Sequence, residues 1–388
     1  MSGEPMAASR AGDVGGHVPW SLPAPPLAAA RMLRASVALA GRALTLPLAP
    51  LRACPLGTSI RTMATDTAAF SLQPVRLALV QLGETSADKR ANLQRAQDMV
   101  ARAVSGGPDG RAQMVLLPEC FNSPYGVNFF GTYAESLSGL YEKVRAAASG
   151  DGRWPVENAG GRGAVTLDDA TLAKSESLRM LSATAKEHGI VLVGGSIPER
   201  DEQTGALYNT SCVFDESGRV IAVHRKLHLF DIDIPGKMTF QESQTLSAGN
   251  QITMFDCAFG RFGLGICYDM RFPEAATIAA RHGAAAMLYP GAFNTTTGPL
   301  AWELLLRARA VDNQIYTVGC SPARPTEGYP AWGHSTVVDP LAQIVTTCEE
   351  KETIVWAKLD PARVAEVRHN VPVSSQRRFD VYPDVAHT

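Results

Sequence analysis

The chain has 388 residues, 45% hydrophobic and 19% charged, with a formal net charge of -2. That balance fits a soluble globular protein of one large or two medium domains and excludes a basic nucleic-acid surface or a charged membrane-binding face. The seven cysteines, Cys54, Cys120, Cys212, Cys257, Cys267, Cys320 and Cys348, form no CxxC pair and no Cys/His cluster, so neither a disulfide framework nor a metal site is supported and reduced thiols are the simpler account.

Residues 1–70 differ from the rest. No acidic residue occurs between Val14 and Thr65, while Arg31, Arg34, Arg42, Arg52 and Arg61 are spread through an Ala/Leu/Pro-rich background. On a helical wheel Arg31, Arg34 and Arg42 share a face opposite Leu33, Val37 and Leu44. An acid-poor, Arg-bearing amphipathic stretch fits a mitochondrial or plastid transit peptide, and its plain alternative is a disordered arm. Arg42 and Pro47 interrupt the apolar run too early for a membrane span. Met63-Ala64 offers an alternative start that would give a cytosolic form.

From there the pattern predicts one domain over 71–385. Val75–Leu82 is rich in strand formers, and Asp88–Val104 carries Leu93, Ala96, Val100 and Val104 at helical spacing. Gln113–Leu117 reads as a second strand, stopped by Pro118 and presenting Glu119. A surface insertion is expected at about 143–169, where Gly-Asp-Gly and Gly-Gly-Arg-Gly occur. A helix over Leu172–His188 leads to a strand over Ile190–Ile197. Strands over Leu207–Phe214 and Arg219–Arg225 follow, joined by the turn Asp215-Glu216-Ser217-Gly218, and the second presents Lys226. After a long loop come strands Ile252–Cys257 and Phe262–Ile266, the latter delivering Cys267. Helix Glu274–His282, strand Ala285–Tyr289, helix Leu300–Asp312 and strand Gln314–Cys320 continue the alternation. Three strands and a helix, near His334–Val338, Ile344–Cys348, Thr353–Leu359 and Pro361–His369, close the chain. Helices and strands alternating with hairpins predict layered α/β packing rather than a simple doubly wound sheet.

Three groups of catalytic type thus fall at strand ends: Glu119, Lys226 and Cys267. A thiol with its ordinary pKa of ~8.5 is mostly protonated at neutral pH and attacks poorly. A carboxylate beside it can take the proton, and an ammonium favours the anion and can stabilise an oxyanion. Each also has a plain reading, as buried core cysteine, loop carboxylate and strand-end lysine, and spacing alone does not bring them together.

The residues around them carry more. Leu116-Leu117-Pro118-Glu119-Cys120-Phe121, His224-Arg225-Lys226-Leu227-His228-Leu229-Phe230 and Gly265-Ile266-Cys267-Tyr268-Asp269-Met270-Arg271-Phe272 resemble, in order, the Glu, Lys and Cys motifs of the nitrilase superfamily of carbon–nitrogen hydrolases. The resemblance covers about residues 72–383. It implies a four-layer α-β-β-α sandwich, a homodimer that doubles the layers to eight, and a small-molecule amide substrate. It calls for no cofactor, metal, nucleic acid or membrane. Asn122-Ser123-Pro124-Tyr125-Gly126, Phe230–Lys237, Phe240-Gln241-Glu242-Ser243, Tyr289–Pro299 and Ala331–Ser335 are similar to the omega-amidase branch, while Phe272-Pro273-Glu274 is also similar to the branch acting on deaminated glutathione.

The resemblance implies that Glu119 is the general base and acid, Cys267 the nucleophile, Lys226 and the Tyr268 backbone N–H the oxyanion donors, and Glu242 a support for Lys226. Arg271 is a candidate carboxylate anchor, with a surface salt bridge as its alternative, and Tyr125, Phe293 and Asn294 are candidate pocket residues. Among rival readings, a non-catalytic protein on the same fold is disfavoured because all three catalytic residue types are present. A thiol sensor using Cys267 and Cys120 lacks a resolving-cysteine motif. Gly333-His334-Ser335 lacks the Gly-x-Ser-x-Gly elbow of a serine hydrolase, and Gly263-x-Gly265 lacks the third glycine of a dinucleotide cradle.

Overall fold

The computed structural model describes residues 71–83, 85–147, 156–157 and 164–382. The leader expected over 1–70 lies outside them, as does much of the insertion expected over 143–169.

Two seven-stranded sheets form the centre. In the first, Thr353–Leu359, Val75–Gln81, Met114–Leu116, Val191–Val193 and Leu207–Phe214 lie side by side, and both Ile197–Arg200 and Val220–Arg225 pair with Leu207–Phe214. The second runs Ile344–Thr347, Thr336–Val338, Tyr316–Cys320, Ala286–Pro290, Gly260–Leu264, Ile252–Cys257 and Val156–Glu157.

Side chains alternate across a strand, and here both faces are apolar. Leu77, Leu79, Leu116 and Val193 of the first sheet meet Phe262, Leu264, Leu288 and Val318 of the second in one core between the sheets. Ala78, Val80, Val115 and Leu192 point outward onto helices Lys89–Ser105 and Glu176–His188, through Leu93, Ala96, Val100, Leu178 and Leu181. Met287 and Tyr289 likewise meet Ala276, Ala279, Trp302 and Leu306 of helices Pro273–Arg281 and Gly298–Asn313. The result is helix, sheet, sheet, helix: the four-layer sandwich that the motifs imply.

Where the structure departs from the sequence reading, the causes are local. The helix expected over Leu172–His188 is two, Asp169–Lys174 and Glu176–His188, because Ser175 is extended and its hydroxyl accepts from Leu178 N at 3.0 Å to start the second. The expected long loop after Lys226 holds a hairpin, Asp231–Ile234 with Met238–Gln241, then a single 3-10 turn, Glu242–Gln244. Its Asp-Ile-Asp-Ile alternation is a period-two signal, turned at Pro235-Gly236, where Gly236 has φ +71. Helices Val127–Tyr133 and Leu140–Ala147 also escape the sequence reading. In the insertion, Val156–Glu157 pairs parallel with Ile252–Thr253 at a sheet edge, and Val165 bridges Val220. No helix among the described residues is long and apolar enough to cross a membrane.

The strand expected over Ile190–Ile197 is broken at Gly194-Gly195. Gly195 has φ +57, and a Cβ there would stand 2.2 Å from the Pro118 carbonyl oxygen, next to Glu119. Gly195→Ala should therefore lose about 1–3 kcal/mol of stability, the usual cost of a strained backbone position, read by chemical denaturation. Because the colliding backbone carries Glu119, activity should fall further than the folded fraction does.

Candidate active site

Glu119 follows strand Met114–Leu116 across Pro118, which lacks an N–H and cannot continue the ladder. Lys226 follows strand Val220–Arg225, with its backbone N–H donating to the Asn209 carbonyl at 2.9 Å. The neighbouring Arg225 fixes this strand end. Its guanidinium pairs with Glu199 and lies between the rings of Tyr141 and Tyr208, 4.3 and 4.0 Å from their centroids. Glu242 arrives on the 3-10 turn behind the hairpin.

These three side chains meet inside the protein. Lys226 is fully buried, its Nζ 2.9 Å from Glu119 Oε1 and 2.9 Å from Glu242 Oε2. Glu242 is held in turn by the Tyr125 hydroxyl and the Phe230 N–H, both donating at 2.7 Å. Asn209 Nδ2 donates to Glu119 Oε1 at 2.8 Å. Oε1 is thus occupied twice, while the buried Oε2 has no hydrogen-bond partner of normal geometry.

Cys267 comes from the other sheet. Strand Gly260–Leu264 ends three residues before it, and Cys267 opens a 3-10 turn, Cys267–Arg271. Its φ of +48 is a left-handed conformation that non-glycine residues rarely adopt. The Ala292 N–H donates to its Sγ at 3.4 Å. The first bond of the turn runs from Asp269 N to Ile266 O, at 3.0 Å, which leaves the Tyr268 N–H outside the turn's own ladder.

The electrostatics follow from one ammonium shared by two carboxylates in a dry site. Burial opposes the charge on Lys226, but Glu119 and Glu242 outweigh it and hold its pKa well above the usual lysine value. Burial raises the pKa of Glu119 above that of an ordinary carboxyl, against the pull of Lys226. Burial, then the Glu119 charge, pushes the Cys267 thiol well up, with Lys226 and the Ala292 amide acting the other way. The direction of the Cys267 shift favours a neutral thiol. Moving the proton from Cys267 to Glu119 keeps the site's net charge constant, which suits a nucleophile activated only when substrate accepts the electrons.

The remaining candidates are placed differently. Tyr125 lines a cavity of about 130 Å³ together with Glu119, Cys120, Phe129, Ala292 and Tyr329. That is below the ~300–1,000 Å³ of drug-sized sites and suits a small substrate. Arg271 lies 5.4 Å from the Tyr268 ring and 5.3 Å from that of Phe293, its Nε buried without a hydrogen bond. It forms no salt bridge among the described residues. Phe293 packs edge-on against Trp302 at 5.2 Å. Asn294 Oδ1 accepts from Thr296 N and Thr297 N at 3.0 and 2.9 Å, shaping the entry to helix Gly298–Asn313, so its side chain serves the turn.

Sequence reasoning missed Asn209, the Ala292 amide and Tyr329, whose ring lies 4.4 Å from that of Tyr125 and whose hydroxyl donates to Ala292 O at 2.7 Å. Nothing local marks them, because each acts through a contact distant in sequence.

Residues 76–369 match the family model described as carbon-nitrogen hydrolase. The chain is 48% identical over 314 residues to omega-amidase NIT3 of Saccharomyces cerevisiae, covering 81% of this chain and 96% of that protein. It is 46% identical over 308 residues to omega-amidase NIT2 of Homo sapiens, covering 79% and 96%. The crystal structure of Saccharomyces cerevisiae Nit3, a member of branch 10 of the nitrilase superfamily, aligns with a TM-score of 0.65 at 45% identity, over 79% of this chain and 97% of that one. With that span matched and the Glu, Lys and Cys segments assembled in one buried site, the chain belongs to the carbon–nitrogen hydrolase family of the nitrilase superfamily.

Proposed function

We propose that the protein is an omega-amidase, hydrolysing the terminal carboxamide of a short keto-dicarboxylic monoamide such as 2-oxoglutaramate or 2-oxosuccinamate to the keto acid and ammonia. The observation that carries this is the buried Lys226 ammonium, bound to Glu119 and Glu242, with Glu119 Oε2 unbonded and the Cys267 thiol interacting with both Glu119 and Lys226. Omega-amidases among the similar proteins supply the substrate class.

In this reading Glu119 takes the proton of Cys267 as Sγ bonds to the amide carbon. The carbonyl π electrons move to oxygen, where Lys226 Nζ and the Tyr268 N–H stabilise the anion. Protonated Glu119 then gives its proton to the leaving nitrogen, the C–N bond breaks, and ammonia departs to leave a thioester. Glu119 next takes a proton from water as it adds to the thioester. Collapse expels the Cys267 sulfur, which recovers the proton, and the acid is released. Glu242 orients Lys226, and Tyr125 orients Glu242. Arg271, with an unpaired Nε beside Phe293, anchors the substrate's far carboxylate.

We also read residues 1–70 as an organellar leader, on their acid-poor, Arg-bearing composition, and the enzyme as a homodimer. Leu300 and Leu304, 74% and 65% exposed, and Val311, 42% exposed, recur along helix Gly298–Asn313, an outer layer of the sandwich. The pairing of that face with a second copy would bury the stripe and stack two four-layer units.

Ammonia release from 2-oxoglutaramate, deaminated glutathione and a simple nitrile checks the reaction. Fast release from the first, lost in Cys267→Ala, is the expected result. Preference for deaminated glutathione would move the enzyme to the sister specificity, and no turnover of any would refute the amidase reading. Arg271→Ala should raise KM for the keto-acid amide about 10–100-fold, the worth of a charged hydrogen bond, and a normal KM would rule out the anchor role. Light scattering should find a dimer for the wild type and a monomer for Leu304→Asp.

A further inference from the structure

Asp269 sits two residues after Cys267, 1% exposed, and the proposed chemistry does not use it. Its Oδ2 accepts from Ile266 N at 2.9 Å and His224 Nε2 at 3.0 Å. Its Oδ1 accepts from His228 N at 2.9 Å and His228 Nδ1 at 2.8 Å. Ile266 immediately precedes the nucleophile, and His224 and His228 stand two residues before and two after Lys226. His224 is the penultimate residue of strand Val220–Arg225, and Lys226 follows directly on its end. His224 Nδ1 also lies 2.9 Å from Thr253 Oγ1, on strand Ile252–Cys257 of the second sheet. A carboxylate accepts only, so the network requires His224 to carry its proton on Nε2 and His228 on Nδ1.

We propose that Asp269 is a positioning residue that locks the lysine-bearing segment of one sheet to the nucleophile-bearing turn of the other, setting the Cys267–Lys226–Glu119 geometry. This rests on the reading of those three as the reacting groups. Lys226 and Cys267 arrive on different sheets and must meet within a few tenths of an ångström. The left-handed Cys267 backbone costs about 1–3 kcal/mol and persists only where its surroundings over-determine it. Asp269 supplies that constraint at the point of strain, since its own N–H returns to Ile266 O while its carboxylate takes Ile266 N. Burial works against its charge, but the bonds from His224 and His228 outweigh it and keep the carboxyl well below the usual range. An asparagine in its place presents one NH2 group to donors and breaks the pattern at one of the two arms.

The test compares the wild type with Asp269→Asn, His228→Ala and His228→Asn. Ammonia release from 2-oxoglutaramate gives kcat and KM. Iodoacetamide labelling of Cys267, followed by peptide mass spectrometry, reads the thiol by alkylation rather than by amide turnover, and thermal melts give the folded fraction. Asp269→Asn should lower kcat per folded molecule about 100-fold with KM within about threefold, since an ångström of misplacement between reacting groups costs about that much. Its Cys267 labelling should slow as well. His228→Ala, which removes one charged hydrogen bond at a half-exposed ring, should lose about tenfold in kcat. His228→Asn should recover most of that, because its amide can donate from near the Nδ1 position. Folded Asp269→Asn with kcat and labelling both within about twofold of wild type would overturn the proposal, as an effect on stability alone moves neither. So would a His228→Asn no better than His228→Ala, and this pair decides if Asp269→Asn does not fold. Failure of the wild type to release ammonia from any amide would sink the reaction reading alone, leaving the labelling comparison to judge the clamp.

Discussion

The structure depends on an ammonium buried between two carboxylates. Lys226 stands 2.9 Å from oxygens of both Glu119 and Glu242. At an effective dielectric of ~20, each such contact is worth about 6 kcal/mol of gross attraction. Taking three ions out of water costs several kcal/mol apiece, so the cluster roughly breaks even as a source of stability. Its value lies in what it does to the groups around it. Two negative charges against one positive make a further anion costly, so the thiol stays protonated until its proton has somewhere to go. In the proposed reaction Glu119, raised by burial and with one oxygen free, is that destination.

Such a cluster survives only if the backbone brings its members in with satisfied lone pairs, and the two sheets do this. Glu119 and Lys226 leave the ends of strands in the first sheet, and Cys267 follows the end of a strand in the second, consistent with ligand sites lying beyond strand ends in α/β sheets. Helices cover both outer faces, so the strands can be apolar on each side and hold their ends rigidly. Asn209, Tyr125 and the Phe230 amide add hydrogen bonds to the carboxylates and leave only Glu119 Oε2 without one. The same rigidity tolerates left-handed backbone at Cys120 and Cys267, two places where the chain turns into the site.

An aromatic wall then separates the charges from water. Tyr125 stacks against Phe240 at 5.9 Å and meets Phe130 edge-on at 5.7 Å, while Phe230 packs on Tyr268 at 5.2 Å. Phe240 comes from the hairpin that also leads to Glu242, so one short excursion supplies both a wall and a charge. Desolvation by burial is the leading influence on Glu119, Lys226 and Cys267 alike.

The sequence by itself determined most of the strands and helices and the groups proposed to react. Runs such as Val75–Gln81, Leu207–Phe214 and Thr353–Leu359 are apolar and β-branched enough to be strands in any context, and Asp88 capping Lys89–Ser105 is a signal within one turn. The Glu, Lys and Cys motifs are contiguous, so they too could be read along the chain. Only the tertiary structure decided who meets whom. Glu119 reaches Asn209 across 90 residues and Lys226 across 107, Arg271 stands between two rings, and Asp269 is a junction rather than a simple turn former. Local sequence sets the conformation of a segment. Contacts between segments depend on strand order, register and which face each side chain takes, and those are settled only when both sheets pack.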